Sequence, residues 1–171
     1  MPVGSNLLSR RGLVLSASCA VLAVPGVSHA ARRVTPNVLF VCRHGTVKSP
    51  IARELMRRQA AERGFALTAF SRGLSIEDQV SPGLAQALRA DGVDIWSEPR
   101  LPLQASDIRA ATLVVLFDSL PTAVSKPTRD WTDFPSFNAN YARARAELDI
   151  RLSRLLDDLQ GRAPVSGAAA S

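Results

Sequence analysis

One cysteine of this chain, Cys42, stands where an apolar strand leads into a helix. Residues 38–41 are all apolar, whereas Ser49 and Pro50 suit the N-cap and the first position of a helix. A helix N-terminus presents free backbone N–H groups and the positive end of the helix dipole, so it favours anions. The same field favours the thiolate form of a cysteine, which attacks electrophiles. The spacing from Cys42 to Ser49 therefore predicts a nucleophile at the base of an anion-binding turn.

The elements that would position this turn alternate between strands and helices. Strands are predicted at residues 37–41, 66–71, 112–117 and around 130–131, and helices at 50–63, 81–90, 103–110 and 139–159. The last helix carries apolar residues at three- and four-residue steps. This alternation favours an α/β fold whose parallel sheet is covered on both faces. Ligands of such sheets bind at the carboxyl ends of the strands, which is where Cys42 lies.

The first 30 residues have the pattern of an export signal. A paired arginine, Arg10-Arg11, precedes an apolar run at residues 13–24, and small residues follow at 28–30. The run is short and rich in alanine and serine, which disfavours a membrane span. The paired arginine is typical of twin-arginine export, with an ordinary secretory signal or a retained anchor as alternatives. We expect a signal peptide at 1–30, a periplasmic or secreted location, and no stable membrane insertion after cleavage.

Composition limits the kinds of domain, partner and metal site that the chain can have. Residues 31–162 are long enough for one domain with its own core, and the small residues of 163–171 predict a disordered tail. The 21 basic and 15 acidic residues are interspersed without a basic block, which disfavours nucleic-acid binding. After residue 30 the chain holds one cysteine and one histidine, so neither an internal disulfide nor a zinc site is expected. The sequence does not indicate an oligomeric state.

The chain resembles the low-molecular-weight protein tyrosine phosphatases, a family shared with the thioredoxin-linked arsenate reductases. The segments that carry the resemblance are residues 38–42, 48–50, 71–73, 81–95, 107–118 and 133–135. The resemblance implies a flavodoxin-like three-layer sandwich around a four-stranded parallel sheet. It also implies hydrolysis of a phosphate monoester, of the phosphotyrosine type or on a phosphoprotein, through a cysteinyl-phosphate and without a metal or cofactor.

The resemblance assigns roles to individual residues. Cys42 would be the nucleophile, Ser49 would steady its thiolate, and Asp133 would protonate the leaving oxygen. The phosphate-binding residues would be Arg43, His44, Gly45, Thr46, Val47 and Lys48, through a nest of backbone N–H groups and the charge of Lys48.

The acid and its surroundings depart from the family pattern. Phe134 separates Asp133 from the proline that usually follows the acid directly, and Asp130 is the less favoured substitute. Trp131, Phe134 and Phe137 either wall a pocket for an aromatic leaving group or pack the last loop, and the sequence leaves both open. Without an acid, phenols still depart but alkyl alcohols leave poorly.

Lys48 stands where the family pattern Cys-x5-Arg has arginine, and Gly45 stands where it usually has asparagine. Lysine keeps the charge but lacks the planar fork that binds two phosphoryl oxygens at once. Losing one well-placed transition-state donor costs about 3–4 kcal/mol, or roughly 10²–10³ in rate. The charges of Arg43 and His44 compensate for the missing arginine only if their side chains point toward the bound phosphoryl group. The sequence therefore predicts anion binding and leaves the rate of turnover open.

Three alternative functions compete with a working phosphatase. A catalytically inactive pseudophosphatase that binds phosphate or phosphoproteins would keep the fold and the nest. A monothiol arsenate reductase would use Cys42 with an external thiol, since further cysteines for an internal relay are missing. Residues 43–46 also resemble the opening of the histidine phosphatases, but those enzymes need a second histidine. His44 itself either stabilises the thiolate or is an exposed loop residue.

Overall fold

The structure is a computed structural model that describes residues 35–120 and 126–162. The expected signal peptide at 1–30 and the expected tail at 163–171 lie outside the described residues. Strands and helices alternate along the described part. They are β1 (Asn37–Cys42), α1 (Lys48–Glu62), β2 (Thr68–Gly73), α2 (Pro82–Ala90), α3 (Ala105–Ala110), β3 (Leu113–Leu116), β4 (Thr128–Asp130) and α4 (Tyr141–Arg162).

The four strands form one parallel sheet in the order β2-β1-β3-β4. In the register, Cys42 pairs with Gly73 of β2, and Val41 pairs with Leu116 of β3. Leu116 in turn pairs with Asp130 of β4. The carboxyl ends of the strands therefore meet at the edge of the sheet where Cys42 lies. The predicted α/β fold with a four-stranded parallel sheet is confirmed.

Strand β1 is buried on both faces, which explains its continuous apolar sequence. Val38, Phe40 and Cys42 belong to the larger apolar cluster, which includes side chains of α1, α2 and α4. Leu39 and Val41 point to the opposite face and belong to a smaller cluster against which α3 packs. The sheet is thus the middle of three layers, as expected.

Two helix starts show how local signals and tertiary contacts compete. Ser81 caps α2, because its Oγ accepts a hydrogen bond from the N–H of Leu84 at 3.4 Å. The prediction that Ser49 caps the first long helix is wrong, since α1 begins at Lys48 and its N-cap is Val47, without a side-chain cap. No helix in the described ranges is long and apolar enough to cross a membrane.

Candidate active site

Residues 43–47, here called the cysteine loop, connect β1 to α1 and are held from outside by the segment that follows β2. The backbone N–H groups of Leu74 and Ser75 both donate to the carbonyl of Arg43 at 2.8 Å. The N–H of Glu77 donates to the carbonyl of His44 at 3.3 Å. These contacts turn the loop carbonyls toward the segment after β2 and away from the centre of the loop.

The amide groups of the same loop are left free. Within residues 35–120 and 126–162, no acceptor is hydrogen-bonded to the backbone N–H groups of residues 44–49. Gly45 has a φ of 63°, a left-handed conformation that lets the chain curve at this point. Successive free N–H groups around a curved loop at a helix N-terminus form an anion-binding nest.

Two glycines bring the cysteine loop into direct backbone contact with the end of β2. A Cβ atom added at Gly73 would lie 2.7 Å from the backbone N of Gly45 and 2.8 Å from Cδ1 of Ile76. A Cβ atom at Gly45 would lie 3.0 Å from Cα of Gly73. The loop keeps its curvature here by close packing of main chain on main chain.

Cys42 lies at the start of this loop, with only 4% of its surface exposed. Its Sγ is 3.0 Å from Oγ of the fully buried Ser49. The Ser49 hydroxyl also lies 3.3 Å from the carbonyl of Arg72. A hydroxyl carries one hydrogen, so it donates to the sulfur when Cys42 is a thiolate and to the carbonyl when Cys42 is a thiol. Because its hydroxyl contacts Cys42 and the carbonyl of Arg72, Ser49 does not cap α1.

A cavity of about 320 Å³ opens above Cys42. It is lined by Cys42, Arg43, His44, Thr46, Val47, Lys48, Glu77, Gln79, Asp118, Ser136, Phe137 and Asn138. Arg43 and Lys48 bring two cations to it, and no carboxylate in the described part of the chain forms an ion pair with either. The free amides and these cations make the cavity suited to a small anion.

The predicted residue His44 lies on the rim. Its Nδ1 is 2.9 Å from Oε1 of Glu77, and the two side chains are 41% and 60% exposed. The Thr46 hydroxyl lies within hydrogen-bond distance of the carbonyls of His44 and Glu77 and can donate to either, which connects the rim to the loop. Any positive charge on His44 is thus balanced by Glu77 and is not directed at the Cys42 sulfur.

The structure does not bring Asp133 to this cavity. Its two carboxylate oxygens accept hydrogen bonds from Arg151 of α4 at 2.8 and 2.9 Å, and 72% of the side chain is exposed. These bonds lower the pKa of Asp133. Asp130 lies on the same outer surface, and hydrogen bonds from Thr132 lower its pKa. Both carboxylates are held in the charged form, which disfavours proton donation.

Aromatic packing explains why the loop after β4 keeps Asp133 outside the cavity. Trp131, Phe134 and Phe137 are 7%, 4% and 2% exposed, so all three are buried. The rings of Trp131 and Phe134 lie 5.6 and 5.3 Å from the ring of Phe117. The Arg151 guanidinium covers the Phe134 ring at 5.4 Å. The sequence left open whether these rings wall a pocket or pack the last loop. In the structure they pack the loop, although Phe137 also lines the cavity.

Two carboxylates that the sequence analysis gave no role lie at the cavity, Glu77 and Asp118. Asp118 lies two residues after the end of the apolar strand β3, so the sequence could have indicated its position near a strand end. Glu77 comes from an irregular segment after β2, where no pattern marks it. No group of three or more His, Cys, Asp or Glu side chains in the described ranges could hold a metal ion.

This combination of an α/β sheet, a strand-end cysteine and a nest of free amides is the architecture of a cysteine-based phosphatase. The family model described as low molecular weight phosphotyrosine protein phosphatase matches residues 37–126, which is more than half of the chain. The chain therefore belongs to this family. No curated protein sequence matches it.

Solved structures with the same fold include phosphatases and arsenate reductases. YfkJ from Bacillus subtilis is 19% identical, with a TM-score of 0.63 over 76% of this chain and 98% of its own. The arginine phosphatase YwlE from Geobacillus stearothermophilus is 21% identical, with a TM-score of 0.62 over 80% of this chain and 100% of its own. A thioredoxin-dependent arsenate reductase from Corynebacterium glutamicum is 26% identical, with a TM-score of 0.58 over 76% and 64% of the two chains.

Proposed function

We propose that this protein is an exported phosphatase that hydrolyses phosphate monoesters through a cysteinyl-phosphate on Cys42. The observation that carries the proposal is the set of free backbone N–H groups at residues 44–49 around the cysteine. A phosphoryl group bound by these amides would present its phosphorus to the sulfur, and no cofactor is required.

The chemistry would proceed in two displacements. In the first, the Cys42 thiolate sulfur bonds to phosphorus, the ester P–O bond breaks, and the departing oxygen takes a proton from an acid at the cavity or from water. In the second, water attacks the same phosphorus, the S–P bond breaks, and inorganic phosphate and the thiolate are released. The free amides stabilise the charge that develops on the phosphoryl oxygens in both steps. Lys48 adds positive charge, but it weakens catalysis relative to the arginine that the family pattern has there.

Hydrolysis of p-nitrophenyl phosphate by the full chain tests this proposal. We expect Cys42→Ser to abolish turnover, because the hydroxyl is a far weaker nucleophile at neutral pH. The matched control is Cys19→Ser, which alters the other cysteine of the chain within the expected signal peptide. Acid quenching followed by mass spectrometry should find one phosphoryl group on the Cys42 peptide of the natural protein. Equal activity in both serine variants would contradict the mechanism.

A pseudophosphatase is the second candidate, and Lys48 is the observation that favours it. It would bind inorganic phosphate in the same nest without turning over a monoester. Calorimetric titration with phosphate, beside the assay above, separates the two. If the natural chain binds phosphate without turnover, and turnover appears in Lys48→Arg, the natural protein is a phosphate-binding pseudophosphatase. Neither binding nor turnover would reject both candidates.

Arsenate reduction is less favoured. Arsenate has the shape and charge of phosphate, so the nest would accept it. However, Cys42 is the only cysteine in the described part of the chain, so its oxidised form would need a thiol from another molecule. Arsenite production from arsenate with a small thiol as reductant would support this reading, and its absence would reject it.

Export is proposed from the sequence alone. The paired arginine, the apolar run at 13–24 and the small residues at 28–30 together support a signal peptide. Phosphate monoesters outside the cytoplasm would then be the substrates. Fractionation of expressing bacterial cells checks this, and a full-length chain confined to the cytoplasm would contradict it.

A further inference from the structure

Asp118 reaches the cavity through the pairing of β3 with β1. Val41 of β1 pairs with Leu116 of β3, and the N–H of Phe117 donates to the carbonyl of Val41 at 2.9 Å. One residue further on, Oδ2 of Asp118 accepts a hydrogen bond from the backbone N–H of Arg43 at 2.9 Å. The sheet register therefore places a carboxyl group beside the first residue after the nucleophile Cys42.

The cavity offers two carboxyl groups in the described ranges, and their surroundings differ. Glu77 is 60% exposed, and its Oε1 lies 2.9 Å from Nδ1 of His44, with which it can form an ion pair. Asp118 is half-buried, and only its Oδ2 has a hydrogen-bond partner among the described residues. Oδ1 of Asp118 is thus available to carry a proton.

We propose that Asp118 is the general acid and base of this site, in place of Asp133. The inference rests on the proposed function. As the Cys42 sulfur bonds to phosphorus and the ester P–O bond breaks, the proton on Asp118 Oδ1 passes to the departing oxygen. Water then attacks phosphorus, gives one proton to the Asp118 carboxylate, and the S–P bond breaks. Each cycle consumes one ester and one water and releases one alcohol and one phosphate.

The hydrogen bonds of the two aspartates support this assignment. The Arg43 N–H fixes Oδ2 and leaves the proton to Oδ1. Asp133, by contrast, accepts two hydrogen bonds from Arg151, which hold it as a carboxylate outside the cavity.

The test compares two substrates in the full chain and its Asp118→Asn variant. Asparagine still accepts the Arg43 N–H but has no acidic proton. We expect kcat/KM for phenyl phosphate, which has a basic leaving group, to fall roughly 10²–10³-fold. For p-nitrophenyl phosphate, whose leaving group departs without help, we expect a fall of less than about tenfold.

Other outcomes of this test would overturn the assignment of Asp118 or the proposed function. Equal losses on both substrates would make Asp118 a positioning residue for the Arg43 N–H and would overturn the proposal. A loss that depends on the leaving group in Asp133→Asn, but not in Asp118→Asn, would overturn it in favour of Asp133. Glu62→Gln, an exposed acid-to-amide change outside the cavity, is the matched control and should match the natural chain. Absence of Cys42-dependent turnover, both in the natural chain and in Lys48→Arg, would overturn the proposed function itself.

Discussion

At the scale of single residues, Lys48 is the position at which the proposed phosphatase departs from the pattern Cys-x5-Arg. It lines the cavity at the first position of α1, and no carboxylate in the described ranges pairs with it. A guanidinium at this position would bind two phosphoryl oxygens at once, whereas an ammonium group is a single point charge. We expect Lys48→Arg to raise kcat/KM for p-nitrophenyl phosphate by roughly 10²-fold, measured by steady-state kinetics.

The chain supplies its own control for this substitution. Lys126 is the other lysine in the sequence and does not line the cavity. Lys126→Arg makes the same chemical change and should leave kcat/KM as it is. A fall in activity in Lys48→Arg would mean that the cavity is shaped for the ammonium group.

At the scale of secondary-structure elements, the end of β2 shapes the cysteine loop. A Cβ atom at Gly73 would come within 2.7 Å of the Gly45 backbone N, so Gly73→Ala must push the loop out of position. We expect kcat/KM to fall by at least about tenfold, since small misplacements of reacting groups are costly. We also expect weaker binding of inorganic phosphate by calorimetry.

The matched control at this scale is Gly83→Ala. A Cβ atom at Gly83, in helix α2, would meet no atom within 4 Å. This substitution should preserve activity and raise the free energy of unfolding by up to about 1 kcal/mol, because alanine favours a helix over glycine. Equal kinetics in the two alanine variants would show that contact with β2 does not set the loop geometry.

At the scale of the whole molecule, Asp91 connects the end of α2 to α4. Its Oδ2 accepts hydrogen bonds from the Tyr141 hydroxyl and from Nε of Arg145, both at 2.7 Å. Burial opposes the charged form, but these two bonds and the charges of Arg145 and Arg58 together lower the pKa of Asp91 below its usual 3.8. The carboxylate therefore stabilises the fold fully above about pH 4, and this contribution is lost as the pH falls through the lowered folded-state pKa.

We expect Asp91→Asn to lower the free energy of unfolding by about 1–3 kcal/mol at pH 7, as is typical for hydrogen bonds to a charged group. The difference from the natural chain should shrink below pH 4, because the natural chain then loses the same interaction. Urea unfolding at pH 7 and near pH 3 measures both effects, and Glu62→Gln serves as the exposed control. A difference that stays constant with pH would show that the charge of Asp91 is not what stabilises the contact.

The sequence by itself determined the sheet and the position of Cys42 at the carboxyl end of its first strand. The apolar run of β1, the turn after it and the alternation of strands and helices are local patterns, and local patterns specify which elements form. Parallel strands share one carboxyl edge, so Cys42 was predictable as a residue at the ligand-binding edge. The start of the following helix was predictable to within two residues, because serine and proline are local signals of a helix N-terminus.

Only the tertiary structure decided which side chains complete the site. Asp133 was the residue that the family resemblance favoured as the acid, yet Arg151 and the buried ring of Phe134 hold it outside the cavity. Asp118 reaches Arg43 across 75 residues of chain, a contact that no local pattern encodes. A strand or helix is specified by its neighbours along the chain. The partner of a charged side chain depends on all the groups that folding brings near it. These groups come from distant parts of the sequence, so they are known only from the packed structure.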